Sequence, residues 1–456
     1  MWILYDFETS SRALIGQIIS YAFWVMDERW EPVRTLTGKI RLKPTEFPEL
    51  DAILITRTRI DLLQQDGKSE IDGAFEIHDF LSECIREYGH CILAGYNSSQ
   101  FDLKFLRTTL IRNGINPYFM GRLSSIDILH YIQHIAMTHP NDFPWVSQGE
   151  YWTFSLESVS RSLGVLDTEQ AHDAEADVEI MRNLIRCIEV RYGDALADFR
   201  PVRLPHNSRC EAEYVLFKQR IKATPPEKTI FRTWYRLFQS KSDLIVVDIY
   251  QFHEKKPNTL LALMGVLRYI NCNTQYFSTE PISQAEALEW NSTITRVDEL
   301  AAELKLNRDL YFELIKKPWD IEYQIHDMGF ERINTLNKMI RQLTQSPERY
   351  QAIVTQNWRP NAPEKDRFLI QLFNRYALNN LPDLPVDLTD RYIVPRYINQ
   401  TLVRDGDDSP TIASQIERAQ CLLIGNDDQS VLIAYLDYAH QFIERYNLNR
   451  FLKTSA

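Results

Sequence analysis

Along the first 190 residues the apolar positions switch between two spacings, and the switching predicts an alternation of strands and helices. Ile3–Phe7 and Ile18–Met26 are apolar, β-branched and aromatic enough for central strands, and Thr35–Leu42 alternates well enough for another. Phe75, Ile77, Phe80, Leu81 and Ile85 repeat at helical spacing within Phe75–Tyr88. Cys91–Tyr96 is a short buried strand closing at Gly95-Tyr96-Asn97, and Phe101–Ile111 and Val178–Arg191 return to spacings of three and four.

Near residue 195 the pattern changes. Pro201, Pro205, Pro225 and Pro226 punctuate a stretch that turns strand-like at Thr229–Phe238, Asp243–Phe252, Leu260–Arg268 and Cys272–Phe277, which predicts a small β domain. From residue 297 helical patterns dominate, as in Val297–Lys305 and Ile333–Leu343, and Gln356–Asp366, rich in Pro and Asn, reads as a loop. The expected division is 1–195, 196–296 and 297–456, in line with a chain of 456 residues, too long for one hydrophobic core.

Composition adds exclusions. No run of about 18 uncharged apolar residues predicts a transmembrane helix. The opening Met1-Trp2-Ile3-Leu4-Tyr5-Asp6 lacks a basic start and reads as a strand, not a signal peptide. Six scattered cysteines without a CxxC pair argue against structural zinc and fit a reducing cytoplasm. The net charge of −11, taken over the whole chain, argues against a nucleic-acid partner. It is unevenly placed: residues 1–200 hold 19 Lys/Arg and 30 Asp/Glu, and residues 201–456 hold 32 of each. Phosphate binding depends on local patches, so the overall charge excludes nothing.

The acidic excess contains the candidate chemistry. Asp6 and Glu8 are two apart in the first strand, so both carboxylates project from one face. Such a pair is costly in a central strand unless a cation or hydrogen bonds compensate it, or the strand frays into water. Asp102 follows a buried strand and a turn at the start of a helix, where an ordinary acid is also favoured by the helix dipole. In Ala171-His172-Asp173-Ala174-Glu175-Ala176-Asp177, a helix beginning near Asp173 puts Asp177 one turn inside and His172 at its mouth. Singly, His172 also reads as a cap and Asp177 as a solvated acid. Together, four carboxylates and a histidine are the inventory for two-metal phosphodiester hydrolysis. Mg²⁺ or Mn²⁺ favours carboxylate oxygen, and a near-neutral imidazole can deprotonate the attacking water.

Asp6-Phe7-Glu8-Thr9, Asn97-x3-Phe101-Asp102 and His172-x4-Asp177 resemble, in order and spacing, the three motifs of the DEDDh exonuclease superfamily. The bacterial exodeoxyribonuclease I family is a closer match. Ala52-Ile53-Leu54-Ile55-Thr56, Gly95-Tyr96-Asn97 and Ala171-His172-Asp173-Ala174-x-Ala176-Asp177-Val178 resemble its wording, and weaker similarity continues to Asn380-Leu381-Pro382 and Asp387–Tyr397.

The resemblance implies a ribonuclease-H-like α/β exonuclease domain with a mixed central sheet, a small SH3-like β domain and a C-terminal helical domain. It implies 3′→5′ hydrolysis of single-stranded DNA to 5′-mononucleotides, a role in DNA repair, a monomer, and the acidic tail of single-strand-binding protein as a partner. Carried over, Asp6, Glu8 and Asp177 hold one metal, with Asp6 bridging to a second that Asp102 supports, and His172 is the general base. One departure is the short segment between Glu8-Thr9 and Gln17, seven residues beside the expected site.

A substrate track is a further expectation. Residues 203–241 carry nine Lys/Arg against three Glu, interleaved with Tyr214, Phe217, Phe231, Trp234, Tyr235 and Phe238. That mixture suits sequence-tolerant single-strand binding, and equally the core and solvated faces of a β domain. Two other functions stay open. An exoribonuclease would use the same five residues. A catalytically dead binding module should have lost a metal ligand or the histidine, and none is missing.

Overall fold

The computed structural model describes residues 1–149, 151–167, 170, 172–200, 202–203, 216–220, 231–240, 243–259, 267–271, 275–276, 279–281, 288–306, 325, 328–357, 364–381, 393, 397–398, 411–424 and 429–452. Contacts divide the chain into two compact units, one of residues 1–125, 170–179 and 317–456, the other of 126–169 and 180–316.

The first unit is built on strand β1 (Trp2–Thr9), with β2 (Ile18–Met26) antiparallel on one side and β4 (Cys91–Gly95) parallel on the other. Strand β3 (Pro32–Lys39) extends the sheet beyond β2, and β5 (Leu123–Asp127) beyond β4, giving the order β3-β2-β1-β4-β5. The sheet is mixed, as expected. Tyr5, Phe7 and Phe23 interlock across β1 and β2, with Tyr5 stacked on Phe23 at 5.8 Å and Phe7 edge-on at 5.5 Å. Fully burying each such ring contributes about 1.5–3 kcal/mol.

Helices α3 (Glu70–Tyr88) and α4 (Asp102–Arg112) pack on this core. Ser69 starts α3 by accepting a bond from the Asp72 amide at 3.2 Å, and Gly89, at φ 77°, ends it. The buried face of α3 is Ala74, Ile77, Phe80, Leu81, Cys84 and Ile85. Phe75, counted in that stripe by its spacing, is 47% exposed. Ala74 and Cys84 fill the stripe instead, small side chains that a scan for bulky apolar residues passes over.

Strand β3 also begins and ends earlier than its alternation indicated. Ile40 and Leu42 are buried, but Ile40 bridges to Lys68 and packs with the α3 cluster, while Leu42 joins a separate core around Phe47. That second core contains α1 (Leu50–Ile55), α2 (Ile60–Asp66) and the helices Ile412–Leu423 and Gln429–Arg445. Its tyrosines hold segment 44–48, which opens on a turn, by its carbonyls. The hydroxyls of Tyr446, Tyr397, Tyr438 and Tyr435 donate to the carbonyls of Pro44, Thr45, Glu46 and Pro48 at 2.6, 2.9, 2.6 and 3.1 Å. A third core joins helices Phe330–Gln345 and Glu364–Asn380 to Ile111. The expected loop 356–366 is helical at both ends, in Tyr350–Asn357 and Glu364–Asn380.

The second unit contains α5 (Ile128–Thr138), α6 (Leu156–Ser162) and a five-stranded sheet in the order Leu267–Asn271, Asp243–Asp248, Phe231–Ser240, Leu216–Arg220, Thr279–Pro281. The strand expected over 243–252 stops at Asp248. That side chain accepts a bond from the Gln251 amide and caps a helix, Ile249–Lys255. The basic and aromatic side chains of the expected substrate track lie outside the described residues. Among the described residues no helix is long and apolar enough to cross a membrane.

Candidate metal centre

Strand β1 does not fray at the two carboxylates. Asp6 and Glu8 pair with Ala22 and Ser20 of β2, while the residues between and before them, Phe7 and Tyr5, fill the core on the opposite face. Opposite lies the start of α7 (Ala174–Tyr192), whose first turn carries Asp177; the Asp177 amide donates to the Asp173 carbonyl at 2.9 Å. Carboxylate oxygens of Asp6, Glu8 and Asp177 all lie within 4.8 Å of one another.

Asp102 is the first residue of α4 and is buried. The turn before it approaches β1 closely: a Cβ on Gly95 would sit 3.0 Å from the Tyr5 carbonyl oxygen. Ser98 Oγ donates to the Gly95 carbonyl at 3.0 Å, and Asn97 takes the left-handed conformation that tightens the turn, φ 54°. Asp102 stands outside the 4.8 Å group, yet close enough for its charge to disfavour ionisation of Asp6 and Glu8. His172 lies just before α7 with φ 49°, and its positive form would stabilise the Asp177 carboxylate.

Burial dominates the electrostatics. It raises Asp6 well above the ordinary carboxylate range, with Asp102, Glu8, Asp177 and Asp173 adding repulsion in that order. Burial, then Asp177, Asp102 and Asp173, pushes Glu8 up to about 9. Asp177 is raised to about 6 by burial, offset by a hydrogen bond from Gln170 and by His172. Its Oδ2 accepts that bond, and its buried Oδ1 has no hydrogen-bond partner. Buried acceptors are nearly always satisfied. Crowded carboxylates with one oxygen orphaned fit hard divalent cations, and carry no soft ligand that would select another metal.

These shifts have a consequence for stability. Glu8 and Asp177 keep protons in the folded state at pH values where the unfolded chain, with carboxyls near ~4, has released them. Cation-free protein should therefore lose stability as pH rises from about 4 to about 9, read as a falling Tm. Mg²⁺ or Mn²⁺ should raise Tm more at pH 8 than at pH 5, and Glu8→Gln should flatten the pH slope in EDTA. Metal-induced Tm shifts equal at both pH values would contradict the centre.

Five residues were expected here from sequence. The structure brings Asp6, Glu8 and Asp177 together and sets Asp102 and His172 beside them. It adds two that were missed. Asp173 contributes charge and accepts bonds from the Glu175 and Ala176 amides, an N-cap pattern that its place before a helix could have signalled. Gln170, bonded to Asp177, had no signal in the sequence.

A five-stranded mixed sheet with this element order, followed by a β-rich segment and then helices, is the fold of the exonuclease I structures. Exonuclease I from Methylocaldum szegediense is 19% identical, with 97% of this chain and 99% of that one aligned at a TM-score of 0.66. The zinc-bound E. coli exonuclease I–single-stranded DNA complex is 15% identical over 97% and 99%, at 0.64. A complex of single-strand-binding protein and exonuclease I with an inhibitor gives 15%, the same coverage and 0.64. No family profile and no curated protein sequence matches the chain.

Proposed function

We propose that the protein is a divalent-metal-dependent 3′→5′ exonuclease that degrades single-stranded DNA to 5′-mononucleotides. The observation that carries the reading is the convergence of Asp6, Glu8 and Asp177 around an orphaned buried oxygen. That cluster sits in a chain sharing the exonuclease I fold over 97% of its length. Asp6, Glu8 and Asp177 would hold one cation, and Asp6 and Asp102 a second. When bound, such ions neutralise the phosphate and lower the pKa of the attacking water. His172 receives the proton of that water on a ring nitrogen. His172 stands just before the first turn of α7, where its positive form acts on Asp177. The division into exonuclease, SH3-like and helical domains at 195 and 296, a monomeric state, and binding of the single-strand-binding-protein tail belong to the same reading.

The test offers 5′- and 3′-labelled single-stranded DNA, blunt duplex and RNA, with Mg²⁺, Mn²⁺ or EDTA. Mononucleotides should leave from the 3′ end, single strands should vanish far faster than duplex, and EDTA should stop the reaction without unfolding the protein. Undiminished hydrolysis in EDTA, or first release from the 5′ end, rejects the proposal. RNA cut as fast as DNA makes it an exoribonuclease.

A further inference from the structure

The carboxylate strand leads directly into the short segment 10–17, and a buried charge network lies beneath that segment. Ser10 is fully buried. Its amide donates to the Gln17 carbonyl at 2.8 Å, its Oγ accepts from the Gln17 amide at 2.9 Å, and the same Oγ donates to Glu46 Oε1 at 2.5 Å. Glu46 Oε2 lies 3.5 Å from Lys43 Nζ, and both side chains are buried. Lys43 is also 4.0 Å from Glu70, which Arg112 grips through Nε and Nη2 while its Nη1 donates to the Gly16 carbonyl at 2.8 Å. The Glu49 amide donates to the Ser10 carbonyl at 2.8 Å. Both ends of the segment are therefore tied down, next to the register shift between Glu8 and Thr9.

Such a network is a poor way to gain stability. Desolvating Lys43, Glu46, Glu70 and Arg112 costs several kcal/mol per ion, and well-packed apolar residues would fill the space as stably. Directional bonds to one loop hydroxyl and one loop carbonyl achieve what apolar packing cannot: they fix the backbone where β1 leaves the sheet. We propose that Glu46 is a positioning residue for the metal centre, holding Ser10 and through it the Glu8 end of β1. The inference rests on the functional reading above, and deepens it by naming a residue that touches neither metal nor substrate.

The test compares Glu46→Ala, Glu46→Gln and Ser10→Ala in the full chain, per folded molecule. Removing a group that orients metal ligands costs about 10–100-fold in affinity or activity. Glu46→Ala and Ser10→Ala should each lower kcat by that factor at saturating DNA and Mg²⁺, with KM little changed, and weaken Mn²⁺ binding in calorimetry similarly. The double variant should be no worse than either single one. Glu46→Gln, whose amide oxygen still accepts the Ser10 bond, should recover most of both losses. Amides of residues 8–17 should exchange faster in Glu46→Ala, while those of β3 do not. If Ser10→Ala and Glu46→Ala keep wild-type kcat and Mn²⁺ affinity, the inference is overturned, whatever their Tm. If the wild-type chain cuts no nucleic acid, the functional reading fails instead, and Mn²⁺ affinity with amide exchange still decides the role of Glu46.

Discussion

Asp6→Asn should reduce exonuclease turnover by at least about 10³-fold, since metal-ion catalysis supplies several kcal/mol and each 1.36 kcal/mol is a decade in rate. The substitution conserves shape in a strand whose other face is core, so folding should survive. The same change has a second, opposite signature. Burial and four neighbouring carboxylates disfavour the Asp6 anion. Replacing it by a neutral amide should make the EDTA-treated protein more stable than wild type at pH 8, and abolish the stabilisation given by Mg²⁺. Single-strand binding without metal should persist, or tighten as a negative charge near the phosphates disappears. Thermal melts with and without Mg²⁺, beside single-turnover cleavage, read all three effects. A variant that is less stable in EDTA, still stabilised by Mg²⁺ and still active would remove Asp6 from the centre.

His172→Ala should slow the chemical step by roughly 10²–10⁴-fold, the span for a positioned acid–base group. Mn²⁺ affinity should hardly change, because the carboxylates remain. A general base adds an acid limb to the pH–rate profile, and the variant should lack it. A capping role predicts something else: a loss of about 1 kcal/mol of stability and an unchanged rate. The left-handed backbone of His172 separates the two further. His172→Gly relieves a conformation that glycine adopts without strain, so it should fold at least as well as wild type and still be slow. Rates across pH 5–9 with excess Mg²⁺, with the folded fraction measured in parallel, decide. A glycine variant cutting within a few-fold of wild type removes His172 from the mechanism.

Much of the first unit was legible because its elements follow local rules. Strands β1, β2 and β4 and helix α4 lie within a few residues of where apolar spacing placed them, and the i, i+2 rule alone put Asp6 and Glu8 on one face. The errors share a cause. Phe75 was assigned to a buried face that Ala74 and Cys84 fill, Leu42 was given to a strand it leaves, and Asp243–Phe252 was extended past Asp248. In each case the deciding partner is a small side chain, a distant core or a cap, which periodicity does not weigh. At the site, residue type and motif spacing picked out the carboxylates, whereas Gln170 became visible only through its contact with Asp177.

The grip of four tyrosines on segment 44–48 has a consequence for how the molecule is made. The hydroxyls of Tyr435, Tyr438 and Tyr446 reach carbonyls 387 to 402 positions earlier. Contacts so remote in sequence form late and slow the chain that depends on them. The sheet and its carboxylates can collapse early in synthesis, and Ser10 and Lys43 can already meet Glu46, but the peptide beneath the 10–17 loop lacks its C-terminal tyrosine bonds until residues 435–446 have been added. During translation Asp6 and Glu8 are thus made long before segment 44–48 has all of its final contacts, and the full metal affinity of their cluster should appear only once Tyr446 has joined the fold.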